Sequence, residues 1–217
     1  MRGQFNVSSD RNKQGQFIVF EGIDGSGKTT QLRRFADYLA AKGLAVRCEK
    51  EPTDGPIGTR ARAIVKSSRP VLPEQLAKLF AADRVAHLRE SIAPALSLGE
   101  WVICDRFLHS NLAYQSTALP MVDIVKFNAA AMQHPAPDAV FFIDTPPEIA
   151  VSRVQSRNGG GEMFDTLDYA CRLRTLYGQA FALVPPAALF TIDGSGTPDT
   201  VFARVVAAFE GGALCTH

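Results

Sequence analysis

The chain has 217 residues, of which 46% are hydrophobic and 21% charged, a composition typical of one folded domain. Its 23 basic and 22 acidic residues leave a net charge of +1, which argues against a nucleic-acid polymer as the main partner. The four cysteines form no CxxC pair, which argues against a zinc site or a disulfide framework and favours a reducing cytoplasm. No apolar run reaches 18 residues, so no membrane partner is expected.

Strands and helices are predicted to alternate after a polar stretch, residues 1–15, that we interpret as a mobile tail. Short apolar runs predict five strands: FIVFEG, LAVRCEKEP, EWVICD, DAVFFIDT and ALFTID. Helical spacing predicts helices between them, including one from Pro73 to about Leu98 that is interrupted near Pro94. The alternation predicts an α/β three-layer fold, a five-stranded parallel sheet flanked by helices. We expect a single domain over residues 16–212, followed by a tail at 213–217.

A phosphate-binding loop is predicted where the first strand meets the first helix. The stretch from Gly22 to Thr29 matches the pattern G-x-x-x-x-G-K-[ST] in full, and a strand and a helix flank it as the P-loop requires. Backbone N–H groups of such a loop hold phosphates, while the lysine reaches the terminal phosphates and the hydroxyl binds Mg²⁺. The predicted ATP-binding residues are Gly22, Gly25, Ser26, Gly27, Lys28, Thr29 and Thr30.

A second polar pair follows the predicted strand EWVICD. Asp105 ends that strand, where a carboxylate can hold Mg²⁺ together with Thr29. Arg106 comes next, at the sheet edge where open α/β folds bind their ligands. Taken alone, Arg106 is also compatible with a structural position on the surface.

Several motifs in this order resemble the thymidylate kinase family. They are FEGIDGSGKTTQ, EPTDGPIG, LFAADR, DRFLHSNLAYQ, the stretch from PDAVFFID to PPEIAVSR, and IDGSGTPDTV. The resemblance extends over about residues 16–210. It implies a P-loop fold of the nucleoside monophosphate kinase type, ATP- and Mg²⁺-dependent phosphorylation of dTMP to dTDP, and a homodimer.

The resemblance also implies residues for dTMP. Asp24 would accept a hydrogen bond from the 3′-hydroxyl, Arg106 would bind the acceptor phosphate, and Phe80 would stack on thymine while Arg84 hydrogen-bonds it. The remaining residues expected at this site are Lys50, Glu51, Ser110, Asn111 and Gln115. Without a ligand, Asp24 could equally be an acid favoured at a helix N-terminus, and Phe80 a core residue.

A lid at about residues 153–165 is the last implied feature. Arg153 would pack on adenine and Arg157 would reach the transferred phosphoryl group, in the form of the family that has its catalytic arginine in the lid. Both arginines could instead lie on a solvated helix face.

Two departures leave the acceptor open. Lys50 stands where the family often has arginine, and Met163-Phe164-Asp165 stands where it often has RFE or RYE. A kinase for another nucleoside monophosphate or nucleoside, or a nucleotide-binding protein with weakened turnover, therefore remains an alternative. A GTPase is disfavoured, because the chain has no N-K-x-D after a strand.

Overall fold

A parallel β-sheet forms the middle layer of the molecule. The computed structural model describes residues 15–67, 71–158 and 166–212, except for the side chains of residues 157 and 158. Within these ranges the sheet has five strands in the order β2-β3-β1-β4-β5, all parallel, which confirms the predicted fold class. The strands are β1 Phe17–Glu21, β2 Val46–Lys50, β3 Trp101–Asp105, β4 Ala139–Asp144 and β5 Leu189–Asp193.

Helices connect the strands and cover both faces of the sheet. They are α1 Lys28–Ala41, α2 Pro56–Lys66, α3 Pro73–His87, α4 Ala93–Ser97, α5 Leu108–Gln115, α6 Met121–Phe127, α7 Pro147–Asn158, α8 Leu167–Leu183 and α9 Pro198–Gly211. A short 3₁₀ turn, Ala131–Gln133, precedes β4. The predicted tails and most of the predicted lid, residues 159–165, lie outside the described residues.

The central strand β1 shows why the fold has two apolar layers. Phe17 and Val19 belong to the core on one face of the sheet, while Ile18 and Phe20 belong to the core on the other. Side chains alternate along a strand, so a fully apolar strand must be covered on both faces. The continuous run FIVF is thus the sequence signal of a central strand.

A π-helical turn, Leu88–Ile92, joins α3 to α4 in one helical run. Pro94 follows this turn, and proline has no N–H to donate and crowds the carbonyl of the residue four positions earlier. The predicted interruption near Pro94 is confirmed, and it takes the form of a widened turn. Such turns often occur at functional sites.

The carboxyl ends of the strands meet at one edge of the sheet. Phe20 and Lys50 are both register partners of Asp105, which brings the ends of β1 and β2 beside the end of β3. Open parallel sheets bind their ligands at this edge. The predicted phosphate loop and the Asp105-Arg106 pair therefore lie next to each other.

Candidate active site

The loop Gly22–Thr29 runs from β1 into α1, as predicted. Gly25 and Gly27 have φ angles of 79° and 93°, a region that residues with a side chain rarely adopt. A Cβ atom on Gly25 would also lie 2.1 Å from the carbonyl oxygen of Ala150, so the loop leaves no room for a side chain there. Since α1 begins at Lys28, its first N–H groups face the loop and make an anion-binding terminus.

Lys28 is buried inside this loop. Its Nζ lies 3.4 Å from the carbonyl oxygen of Ile23 and 3.8 Å from Asp24 Oδ1. Burial lowers the pKa of the Lys28 ammonium, and the neighbouring Arg106 lowers it further. An anionic phosphate would relieve both effects, because it stabilises the charged ammonium.

Thr29 and Asp105 meet across the sheet edge. The Thr29 hydroxyl donates a hydrogen bond to Asp105 Oδ2. The other carboxylate oxygen, Oδ1, and the Ser26 hydroxyl are buried and have no hydrogen-bond partner among the described residues. An orphaned oxygen beside a hydroxyl suits a hard cation such as Mg²⁺ that takes its other ligands from phosphate and water. In the described ranges, no group of three or more His, Cys, Asp or Glu forms a metal site of protein ligands alone.

Arg106 is the centre of the polar network. Its φ angle is 70°, a strained value for a residue with a side chain and one often found at functional sites. The guanidinium donates to Asp24 Oδ1 at 2.5 Å and to the Tyr114 hydroxyl at 3.0 Å. It donates also to Ser110 Oγ, the Tyr177 hydroxyl and the Gly22 carbonyl oxygen, at 3.1, 3.3 and 3.4 Å. The strained backbone therefore aims the guanidinium at the phosphate loop.

Asp24 lies opposite Arg106 and is 59% exposed. Its second oxygen, Oδ2, accepts a hydrogen bond of 2.8 Å from the Tyr114 hydroxyl. Partial burial raises the pKa of the Asp24 carboxyl, but the charges of Arg106 and Lys28 outweigh it and hold the pKa well below the usual range. The loop can therefore contain an acid, because two cations neutralise it.

Glu21 is a fully buried carboxylate that holds the residues around Arg106 in place. Glu21 Oε1 accepts hydrogen bonds from the backbone N–H groups of Phe107 and Ser110, at 2.9 and 3.1 Å. Oε2 accepts from the hydroxyls of Ser110 and Tyr177, at 2.5 and 3.1 Å. These bonds fix the chain on the carboxyl side of Arg106 and the start of α5.

Arg84 lies at the bottom of the predicted base site, where only 2% of its surface is exposed. Its guanidinium donates to Asn111 and Asn128 side-chain oxygens, at 3.2 and 2.5 Å, and to the Phe107 carbonyl oxygen at 3.1 Å. Its Nη2 also lies 2.6 Å from Glu51 Oε2. The structure therefore brings together Arg84, Asn111 and Glu51, with Glu51 paired to the arginine.

Three other residues predicted for dTMP lie on α3, on α5 and at the end of β2. Phe80 and Gln115 are half-buried. Lys50 is exposed at the end of β2, and its ammonium pairs with Asp54 at 2.9 Å. The Lys50 ammonium is therefore directed to the turn after β2.

Arg153 of α7 reaches the opposite side of the phosphate loop. Its guanidinium donates to the carbonyl oxygens of Gly25 and Ser26, at 3.5 and 3.4 Å, and to that of Gly194 at 3.2 Å and that of Gly196 at 3.1 Å. It thus connects the loop with the segment that follows β5. Thr30, the last predicted ATP-binding residue, is exposed in the first turn of α1.

The remaining lid residues cannot be placed. The side chain of Arg157 and the stretch Met163-Phe164-Asp165 lie outside the described residues. The role predicted for Arg157 stays a prediction.

Sequence reasoning missed several residues of the site: Glu21, Tyr114, Tyr177 and Asn128. Tyr114 stands one position before Gln115 in a motif already quoted, and its i, i+4 spacing from Ser110 on a helix could have indicated it. Tyr177 and Asn128 carry no comparable signal, because they reach the site from helices far along the chain.

The site consists of a P-loop at the edge of a parallel sheet and of Arg106, which faces that loop. This arrangement defines a P-loop phosphotransferase in which the arginine can hold an anionic acceptor. The thymidylate kinase family model matches residues 20–205, and the chain belongs to the thymidylate kinase family.

Curated relatives agree with this assignment. The thymidylate kinase of Xanthomonas euvesicatoria pv. vesicatoria is 39% identical over 188 residues, 86% of this chain and 80% of the relative. That of Carboxydothermus hydrogenoformans is 35% identical over 202 residues, 91% of this chain and 98% of the relative. A protein named probable thymidylate kinase, from Pyrococcus abyssi, is 39% identical over 171 residues, 76% of this chain and 82% of the relative. None of the described helices is both long enough and apolar enough to cross a bilayer.

Proposed function

We propose that this protein transfers the γ-phosphoryl group of ATP to dTMP and releases ADP and dTDP. The observation that carries the proposal, beside family membership, is the contact of 2.5 Å between Arg106 and the P-loop carboxylate Asp24. The contact brings a guanidinium and a carboxylate side by side next to the phosphate loop, where they could bind an anion and a hydroxyl. A nucleoside monophosphate offers one group for each of them.

Acceptor binding would exchange the partners of this pair. The 5′-phosphate of dTMP would take the donors of Arg106, because a bidentate guanidinium matches a phosphate. Asp24 would then accept a hydrogen bond from the 3′-hydroxyl of the sugar. The low pKa of Asp24 keeps it ionised, so it stays an acceptor at any physiological pH.

The chemical step needs no general base. An oxygen of the acceptor phosphate is already anionic, so it attacks the γ-phosphorus while the bond to the β,γ-bridging oxygen breaks and its electrons go to ADP. Lys28 and Arg106 would neutralise the charge that develops on the transferred group, and Arg157 would join them from the lid. Positioning by the loop and by Arg106 supplies most of the catalysis.

A magnesium ion would be held by Thr29 and Asp105, the pair that carries the orphaned carboxylate oxygen. When bound, the ion would balance part of the charge of the donor phosphates. Thr29 lies in the first turn of α1 and Asp105 ends β3, so both proposed ligands stand on rigid ends of secondary structure. The Thr29 hydroxyl is already directed at Asp105.

The base would lie against the cluster around Arg84. Phe80 is one turn before Arg84 on α3, so both side chains can reach one flat ring, and Asn111 offers an amide beside the guanidinium. The thymine methyl is worth only about 1–3 kcal/mol of discrimination. We therefore expect dUMP to be a poor substrate but not an excluded one.

Two further features of the family are proposed here. We expect a homodimer, which light scattering on the purified protein would test. A reducing cytoplasm suits the chain, because Cys48, Cys104 and Cys171 are free thiols.

An acceptor panel tests the proposed function. ADP release is measured with ATP, Mg²⁺ and one of dTMP, dUMP, dCMP, dGMP, AMP or thymidine. The matched control is Arg106→Lys, which keeps the positive charge and loses the bidentate guanidinium. Activity of a contaminating kinase would not change in this variant. We expect dTMP to give the highest kcat/KM and the variant to lose most of it. Turnover with dTMP no higher than with ATP alone would contradict the proposal, and a higher kcat/KM for another acceptor would reassign the substrate.

A further inference from the structure

His87 lies buried between two carboxylates next to the base site. Only 5% of its surface is exposed. Its Nδ1 is 3.2 Å from Glu51 Oε1, and its Nε2 is 3.2 Å from Glu49 Oε2. Glu49 stands on β2 and Glu51 directly follows that strand, so the imidazole of α3 spans both.

The geometry of these two contacts indicates the protonation state of His87. Ionised carboxylates only accept hydrogen bonds, so both ring nitrogens must carry a proton for both contacts to be hydrogen bonds. A neutral imidazole has one N–H and would leave one carboxylate facing a lone pair at 3.2 Å. His87 is therefore an imidazolium, the cation between two buried or half-buried anions.

The surrounding charges agree with this state. Burial lowers the pKa of His87, but the hydrogen bonds and charges of Glu49 and Glu51 outweigh it and raise the pKa to about 9. The same contact lowers the pKa of Glu49, with help from the Ser91 hydroxyl, which donates to its Oε1 at 2.5 Å. Among the described residues, the other charged or titratable groups that interact with these carboxylates include Arg84 on α3, Arg47 and Cys48 on β2, Glu100 just before β3, and Cys104 on β3.

One carboxylate joins His87 to the base site. Glu51 Oε1 contacts the imidazolium, while Oε2 lies 2.6 Å from Nη2 of Arg84. Arg84 in turn donates to Asn111. Cation and anion thus alternate from His87 through Glu51 to the guanidinium that is expected to read the base.

The helix geometry places His87 for this contact. It is the last residue of α3, immediately before the π turn Leu88–Ile92 that carries Ser91. Arg84 and His87 are three residues apart and share a helix face. Both can therefore contact Glu51 from the same side.

We propose that His87 is a positioning residue that, as an imidazolium, orients Glu51 and through it holds Arg84 in the conformation that binds the base of the acceptor. The proposal rests on the proposed function, since it concerns the dTMP site. It assigns His87 no contact with either substrate. Loss of its N–H donor to Glu51 should therefore change the affinity for dTMP and leave that for ATP unchanged.

Two amide variants separate the two contacts of the ring. In His87→Asn the amide nitrogen can take the place of Nδ1, so it keeps a donor to Glu51. In His87→Gln it can take the place of Nε2, so it keeps a donor to Glu49 and loses the one to Glu51. Both amides are neutral and of similar polarity.

We expect KM for dTMP at pH 7 to rise about tenfold or more in His87→Gln and less than about threefold in His87→Asn, since a lost hydrogen bond between charged groups costs roughly a factor of 10 or more. KM for ATP should stay within about twofold in both. The advantage of wild type over His87→Gln should shrink above about pH 9, where wild-type His87 loses its proton. Comparing the two proteins at each pH cancels the titration of thymine itself.

Three results would overturn the proposal: KM for dTMP within twofold of wild type in His87→Gln, a parallel rise of both KM values, or equal losses in the two variants. If neither variant folds, the ¹³C NMR titration of His87 in the wild type decides. A midpoint near 9 that rises further with bound dTMP supports the proposal, and a midpoint near 6.5, or one that dTMP does not move, refutes it. Wild-type protein without dTMP turnover would fail the acceptor panel as well, which separates failure of the function from failure of this inference alone.

Discussion

Replacement of Glu21 by glutamine tests how the fold holds Arg106. The carboxylate has no exposed surface and accepts four hydrogen bonds, two from backbone N–H groups and two from hydroxyls. In Glu21→Gln the remaining oxygen can still serve the backbone of Phe107 and Ser110, while the two hydroxyls can turn and accept from the new amide. The variant therefore removes the negative charge at position 21 and keeps the shape of the side chain.

The magnitude follows from these four bonds. A hydrogen bond to a charged group contributes about 1.5–3 kcal/mol and a neutral one about 0.5–1.5 kcal/mol. The two backbone bonds, each weakened by roughly 1–2 kcal/mol, predict a loss of about 2–4 kcal/mol in the free energy of unfolding. For a chain of this size that corresponds to a fall in Tm of roughly 4–16 °C. Because the strained backbone of Arg106 depends on the same bonds, kcat/KM for dTMP should fall by more than tenfold.

Thermal unfolding and steady-state kinetics of the same preparation provide the assay. Glu100→Gln is the matched control, since this carboxylate forms an ion pair with Arg47 at the other end of the sheet, and its loss should leave Tm almost unchanged. A Glu21→Gln protein with the stability and the kcat/KM of the control would refute the reasoning. Lost stability with unchanged kcat/KM would show that Arg106 is held by other contacts.

Three further predictions concern the loop, the lid and the pH dependence. If the lid arginine reaches the phosphoryl group, Arg157→Ala should lower the steady-state kcat on the order of 10³-fold. A loss below about tenfold would indicate a solvated side chain. Gly25→Ala should abolish ATP binding measured by calorimetry, because its Cβ would meet the Ala150 carbonyl oxygen at 2.1 Å; Gly43→Ala, at a φ of 83° with open space around it, should bind ATP normally. Folding raises the pKa of His87 from 6.5 to about 9, so its stabilisation is complete below pH 6.5 and is lost as pH rises through about 9. Urea unfolding should show that the difference in free energy of unfolding between wild type and His87→Gln falls by about 3 kcal/mol across that pH window. A difference that stays constant with pH would contradict this prediction.

Much of the fold was predictable because its signals are local. The run FIVF predicts a doubly covered strand, and the glycine pattern after it predicts a phosphate loop, since both depend on neighbours in the sequence. The interruption near Pro94 was likewise indicated by one residue, while its form as a π turn was not predicted. Asp105 and Arg106 were identified from their position after a strand, and the structure places both at the expected sheet edge.

The supporting residues could not be predicted in the same way. Glu21 is bonded to groups 86 to 156 residues away in the chain, and a buried glutamate at a strand end has no sequence pattern of its own. The positive φ of Arg106 is also invisible, because no glycine marks it. Such features arise when the sheet edge is assembled, so only the structure shows them.

In the proposed function, the ion pair between Arg106 and Asp24 would recognise the acceptor by exchanging its partners. Arg106 and Tyr114 together satisfy both oxygens of Asp24, so a ligand that replaced only one partner would leave a charge unpaired in a partly buried site. A nucleoside brings a hydroxyl for Asp24 but nothing for Arg106, and inorganic phosphate does the reverse. A nucleoside monophosphate compensates both groups at once, and the sugar then fixes the distance between them. Selection for a 5′-monophosphate over a nucleoside would therefore arise from the pair itself, before the base reaches Arg84.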